Sequence, residues 1–135
     1  MKISKEIRQL VLERASGCCE YCLIPQEGPF PHEVDHIIAR QHSGTDTIDN
    51  LALCCIFCNR PKGPNLATFD PETKAMTTLF HPRKQLWSEH FRIEEGKIFG
   101  LSPEGRATVF LLRFNDEARV RQRLALIQHG RYNLT

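Results

Sequence analysis

The chain has 135 residues, of which 41% are hydrophobic, enough for one modest core and within the usual length of one domain. Its formal net charge is only +2, which excludes selection of a partner by global charge and leaves any such argument to local clusters. The opening "MKISKEIRQLVLERASG" interleaves apolar residues with charges, so it does not read as a signal peptide, and no apolar run of spanning length follows. The expectation is a soluble, cytoplasmic protein whose six cysteines hold metal or stay free rather than pair as disulfides.

In chain order, Ile7, Leu10, Val11 and Arg14 recur at helical spacing, with Ser4 as N-cap, Glu6 in the first turn and Gly17 as a stop. Pro25, Gly28, Pro29 and Pro31 mark a loop. "HEVDHII" then reads as a short strand through its β-formers Val34, Ile37 and Ile38, with Asp35 and His36 at its end. "ARQHSGTDTIDN" is a polar loop, "LALCC" a second strand, and from Cys55 the chain turns helical. Pro61 predicts that this helix is short or broken there. "NLATFDPETKAM" reads as loop, "TTLFHPR" as strand and "QLWSEHF" as a helical turn. "RIEEGKIFG" predicts a hairpin turning at Glu95 and Gly96. Ser102 and Pro103 open a helix through "EGRATVFLLR", and Asn115 caps a last helix with an apolar stripe of Val120, Leu124 and Ile127. Arg119, Arg121 and Arg123 alternate with that stripe and are expected on solvated faces.

Two C-x-x-C knuckles stand out, Cys19 with Cys22 and Cys55 with Cys58. Two such pairs supply four thiolates to a tetrahedral zinc, and a closed shell of four leaves no position for water, so the zinc is structural. Cys18 and Cys54 each precede a knuckle and offer an alternative ligand at a longer spacing, but the x-x spacing suits the tight turn in which backbone N–H groups face the sulfurs, so the two read rather as buried thiols.

Between the knuckles lies a carboxylate beside an imidazole, Asp35-His36, followed by Asn50 and then by Asn59 directly after Cys58. This set suits hydrolysis assisted by one hard cation, with Asp35 and the Asn59 carbonyl as oxygen ligands. Magnesium keeps several waters and needs only one or two protein ligands beside substrate phosphate oxygens. His36, kept off the metal, serves as general base for water.

"VDHI", "DNLAL" and "CIFCNRPKG", with "CEYC" upstream, resemble the HNH endonucleases, whose motif runs D-H, N-L, C-x-x-C-N-x-x-K-G. The likeness extends through "NLATFDPETKAM", "LFHPR", Trp87, "HF" and "GLSPEGRAT", as in small stand-alone bacterial HNH proteins. The resemblance implies an α+β fold: a ββα-metal (HNH, His-Me finger) motif stapled by a four-cysteine zinc site, preceded by one helix and followed by a hairpin and helices. It implies a single domain over 1–135, with its core motif over about 17–63 and a C-terminal extension over about 64–135. It assigns His36 as general base, Asp35 and Asn59 as ligands of a catalytic Mg2+ or Mn2+, and Asn50 as the residue that orients the loop carrying His36. The implied activity is metal-dependent hydrolysis of DNA, leaving 5′ phosphate and 3′ hydroxyl ends, with Arg40, Arg60 and Lys62 contacting backbone phosphates. Cutting both strands with one site per chain calls for a homodimer or two successive nicks.

Two other classes compete. A zinc-ribbon module that binds nucleic acid without cutting it would not need Asp35, His36, Asn50 and Asn59. A dithiol redox protein would use a C-x-x-C pair as its active site, which two pairs beside N-x-x-K-G disfavour. His42 and His81 read as a loop and a packed-turn histidine, and His32, His90 and His129 lack a companion at ligand spacing. Trp87 reads as a core anchor.

Overall fold

The computed structural model describes residues 3–27 and 31–132; the loop-marking Gly28 and Pro29 lie outside the described residues. The N-terminal helix α1 (Lys5–Arg14) starts where Ser4 Oγ accepts a hydrogen bond from the Ile7 N–H at 3.2 Å, an orphan donor of the first turn. Gly17 takes a left-handed conformation and its N–H returns to Leu12 O, which closes the helix end. Val11 is fully buried and Ile7 half-buried. Leu10, expected on the same stripe, is instead 53% exposed.

Strands β1 (Glu33–His36) and β2 (Leu51–Cys54) pair antiparallel, with Asp35 opposite Ala52 and His36 opposite Leu51. Successive side chains of a strand point to opposite faces. On one face Leu51 and Leu53 join Val11, Ile7 and Val34 in a small core beneath α1; on the other, Ala52 and Cys54 join the main core. Helix α2 (Ile56–Lys62) follows at once, short as Pro61 predicts, although it continues through that residue to Lys62.

The segment expected to be loop after α2 is a hairpin, β3 (Ala67–Phe69) with β4 (Met76–Thr78), and the expected "TTLFHPR" strand is limited to its first residues. Asp70 makes the turn. Its carboxylate accepts from the Glu72 N–H and the Thr73 hydroxyl while Arg106 pairs with both oxygens at 3.0 and 2.8 Å. The sequence reads this stretch only as loop, because the three-residue strands are too short for a period to show.

A single helical turn, α3 (Trp87–His90), leads into the hairpin of β5 (Phe91–Glu94) and β6 (Lys97–Gly100). Glu95 and Gly96 both have positive φ, the mirror-image turn whose twist matches two strands, so the hairpin turns where predicted. Ser102 caps α4 (Pro103–Leu111), its Oγ accepting from the Gly105 N–H. Helix α5 (Glu117–Gln128) begins after Asp116, not Asn115. The Asn115 side chain is instead spent on Ile98, accepting from its N–H and donating to its carbonyl, so it ties the helix approach to β6.

The main core runs through both parts of the chain: Cys19, Tyr21, Cys22, Ile37, Ala52 and Cys58 pack in one cluster with Leu79, Phe80, Phe91, Ile98, Leu112, Phe114 and Leu126. Phe91 is its aromatic hub, with Phe80, Trp87 and Phe114 rings at 4.9–5.8 Å. Trp87 also donates its indole N–H to Tyr21 O at 2.8 Å, as an anchor would. The buried face of α5 is Arg119, Arg123 and Leu126, one position off the expected stripe, so the two arginines point inward, contrary to the solvated faces expected of them. Mixed helices and small antiparallel sheets make the fold α+β. Among the described residues, no helix is long and apolar enough to cross a membrane.

Candidate active site

The β1 hairpin and α2 carry every residue singled out between the knuckles. Asn50 closes the loop between the strands. Its Oδ1 accepts from the Ile38 N–H at 2.9 Å, its Nδ2 donates to Ile38 O at 3.0 Å and Thr45 O at 2.8 Å, and its own carbonyl accepts from the Ile37 N–H. A buried amide with all three side-chain bonds made holds the segment just after His36 against the returning loop. Within that loop Ser43 takes the left-handed conformation. Gly44 has no room for a side chain, since a Cβ there would lie 1.7 Å from Ile38 O.

At the end of β1, His36 Nε2 lies 2.7 Å from Asp46 Oδ1, and Arg40 Nε donates to the same oxygen at 3.0 Å. The His36 hydrogen bond, seconded by Arg40, holds the Asp46 carboxyl below the usual carboxylate range. An ionised carboxylate is an acceptor only, so it is Nε2 that donates to Asp46, and Nδ1 is the ring nitrogen not engaged by that bond. Asp46 is a residue that the sequence reading missed. The only available signal was an acid in the polar loop that follows a histidine.

Asp35, one residue earlier, faces the opposite side of the strand and is buried. Lys62 Nζ stands 3.0 Å from its Oδ2, and the Tyr21 hydroxyl donates to the same oxygen at 3.3 Å. Burial pushes the Asp35 carboxyl up; Lys62 and Tyr21 oppose that shift without cancelling it. Lys62 also donates to the carbonyls of His36 and Ile37 at 3.2 and 3.5 Å and is 2% exposed. This corrects the expectation that Lys62 contacts phosphates, because its ammonium is spent inside the fold. Arg60, on the last turn of α2, is exposed. Arg40 pairs with Asp46 at the rim.

Asn59 donates its Nδ2 to Glu33 Oε2 at 3.0 Å. Glu33 sits two residues before Asp35, on the same face of β1, and was also missed; an i, i+2 pair of acids on a strand is the signal that could have found it. Asp35 thus commits Oδ2 and Asn59 commits Nδ2 to bonds within the fold, and the two side chains carry carboxylate and amide oxygens. Donors of this kind fit magnesium or manganese.

The four knuckle cysteines are buried, and all their sulfurs lie within 4.8 Å of one another. The Cys22 and Cys55 sulfurs are 3.7 Å apart. Thiolates at about 2.3 Å from a tetrahedral zinc stand roughly 3.8 Å from each other, so the cluster fits that ion. The Cys22 N–H points at Cys19 Sγ, as the knuckle turn requires. Cys18 is half-buried, its sulfur turned to the Ser16 carbonyl; Cys54 is buried, its sulfur meeting the Cys55 carbonyl and also Cys19 at the edge of the group, and neither is one of the four. Arg119, from α5, donates to Cys58 Sγ at 3.0 Å, a contact that no local sequence pattern announces. Among the described residues no other group of three or more histidine, cysteine or acidic side chains could hold a metal.

Residues 19–65 match the family model described as HNH endonuclease, a stretch that opens at the first knuckle cysteine and ends just past α2. No curated protein and no solved structure matches the chain significantly.

Proposed function

We propose that this chain, which carries an HNH endonuclease domain in residues 19–65, is a metal-dependent nuclease that hydrolyses phosphodiester bonds in DNA. The observation that carries this reading is His36 at the end of β1, its Nε2 hydrogen-bonded to Asp46 and the segment after it tied down by Asn50, inside the matched stretch. His36 takes a proton from water at Nδ1 as the water oxygen bonds to phosphorus. The bond to the 3′ oxygen breaks and that oxygen takes a proton from solvent water, leaving a 5′ phosphate and a 3′ hydroxyl. Asp46 holds the ring and offsets the imidazolium charge that forms. Asp35 and Asn59 would hold a divalent cation, Mg2+ or Mn2+, whose chemistry is to stabilise negative charge on the phosphate and the leaving oxygen. Arg60 and Arg40 would contact backbone phosphates, which contributes affinity with little sequence information. The single domain over 1–135, a cytoplasmic site of action and a homodimer or successive nicking for double-strand cuts belong to the same proposal.

A second reading, a zinc-bearing module that binds nucleic acid without cutting it, is favoured by one observation: the Lys62 ammonium already occupies one oxygen of Asp35. Nicking of supercoiled plasmid with magnesium, manganese or EDTA separates the two, run beside His36→Ala of equal zinc content. The nuclease reading expects metal-dependent cutting that falls by about 10²–10⁴-fold in the variant. If neither protein cuts while both hold zinc and bind DNA alike, the binding module stands.

A further inference from the structure

We infer that Arg119 is part of the four-cysteine metal centre: α5 brings its guanidinium to Cys58 as the charge-balancing partner of the thiolates, so that metal occupancy and the seating of the C-terminal helices are linked. This rests on the zinc reading of the cluster. Arg119 is 8% exposed, and no carboxylate among the described residues pairs with it. Its Nη2 donates to Cys58 Sγ at 3.0 Å and approaches Cys55 Sγ at 4.0 Å. Four thiolates around a divalent cation carry a net charge of −2, and a guanidinium beside them halves it. A buried arginine needs such an anion, because its charge cannot be shed by deprotonation and its desolvation is costly.

The other nitrogen of the fork ties the same residue to three backbone groups. Arg119 Nη1 donates to Leu112 O at 2.7 Å, Arg113 O at 3.1 Å and Phe57 O at 3.2 Å. The first two end α4. The third is the carbonyl four residues before Pro61, which lacks the N–H that would have bonded to it. One side chain therefore joins α5, the end of α4, the turn of the second knuckle and a cysteine sulfur. The cation fixes that sulfur, and through it one of the anchors of α5. Groups that hydrogen-bond to metal ligands commonly change metal affinity by about 10–100-fold when removed.

Arg123 supplies a matched control. It is 1% exposed on the same face of α5, but its bonds go to Gly96 O, Phe114 O and Asn115 Oδ1, none of them a sulfur. Zinc release to a chromogenic chelator is measured for the full chain as wild type, Arg119→Gln, Arg119→Lys and Arg123→Gln, with cobalt substitution reporting thiolate ligation. The expected result is metal held about 10–100-fold more weakly in Arg119→Gln, an intermediate value in Arg119→Lys, near-wild-type affinity in Arg123→Gln, and a four-thiolate cobalt spectrum throughout. Equal weakening by both glutamine variants, or none by Arg119→Gln, overturns the inference. Hydrogen exchange of the wild type keeps the test open if the variants do not fold: metal removal should deprotect residues 117–128, and unchanged protection there overturns it. A wild type that binds no stoichiometric metal sinks the zinc reading itself, and this inference with it.

Discussion

Lys62 reaches from the last turn of α2 to Asp35 on β1, its Nζ 3.0 Å from Oδ2, and the same ammonium donates to the carbonyls of His36 and Ile37. The pair binds helix to hairpin across the face that Tyr21 closes, with the Lys62 ammonium 5.9 Å from the centre of the Tyr21 ring. It also sets the condition under which a cation reaches Asp35, since one carboxylate oxygen is already bonded twice. A buried pair contributes little net stability, yet breaking it leaves an uncompensated charge. Lys62→Met should therefore cost about 3–5 kcal/mol in urea denaturation. The double variant Lys62→Met with Asp35→Asn should recover much of that cost. Additive losses would show that the two side chains do not interact.

Asn50 is a structural tie whose loss can be told from loss of chemistry. Removing its amide leaves the Ile38 N–H and the Ile38 and Thr45 carbonyls without partners, a loss of about 1–3 kcal/mol. Asn50→Ala should lower the melting temperature and the nicking rate together, whereas His36→Ala should lower only the rate. An Asn50→Ala protein of unchanged stability would contradict the network.

Zinc content distinguishes the four knuckle sulfurs from their neighbours. Cys58→Ser should lose stoichiometric metal and much of its stability, because a closed thiolate site needs all four ligands. Cys54→Ser should retain it, since Cys54 touches Cys19 but is not one of the four sulfurs that lie within 4.8 Å of one another. Elemental analysis after exhaustive dialysis reads both; equal metal loss in the two variants would mean that the ligand set is different.

Acid should act through Asp70. The Arg106 guanidinium bonded to both its oxygens holds its carboxyl well below the usual carboxylate range, with the Glu72 N–H and Thr73 hydroxyl adding to the effect. A carboxyl depressed in the folded state contributes stability above its unfolded value of about 3.9, and that contribution is lost as pH falls toward the folded value. Thermal melts between about pH 6 and pH 2 should show a steep acid limb that is shallower in Asp70→Asn. Identical limbs would remove Asp70 from the account.

Much of the fold was legible because its signals are local. Ser4 and Ser102 accept from N–H groups only three residues away, Glu95 and Gly96 turn a hairpin that they themselves span, and each knuckle places two sulfurs on one tight turn. The spacing of Cys19, Cys22, Cys55 and Cys58 predicted one cluster even though the pairs are far apart in the chain, because a metal supplies the distant half of the interaction. The hairpin of β3 and β4 was not legible, since strands of three residues carry no period.

What tertiary structure alone decided was the direction of the long cationic side chains. Composition and spacing put Lys62, Arg119 and Arg123 on the surface, where such residues usually lie. In the fold they turn inward to a carboxylate, a sulfur and, among other oxygens, the Gly96 carbonyl, which lie 27, 61 and 27 positions away, respectively. The sequence by itself determined most of the elements, the knuckles and the Asp35, His36, Asn50 and Asn59 set, because caps, turns and knuckle spacing act over a few residues. Which charges are buried, and against what, depends on partners far apart in the chain that come together only when α2 packs on the hairpin and α5 packs on the cysteine cluster and β6.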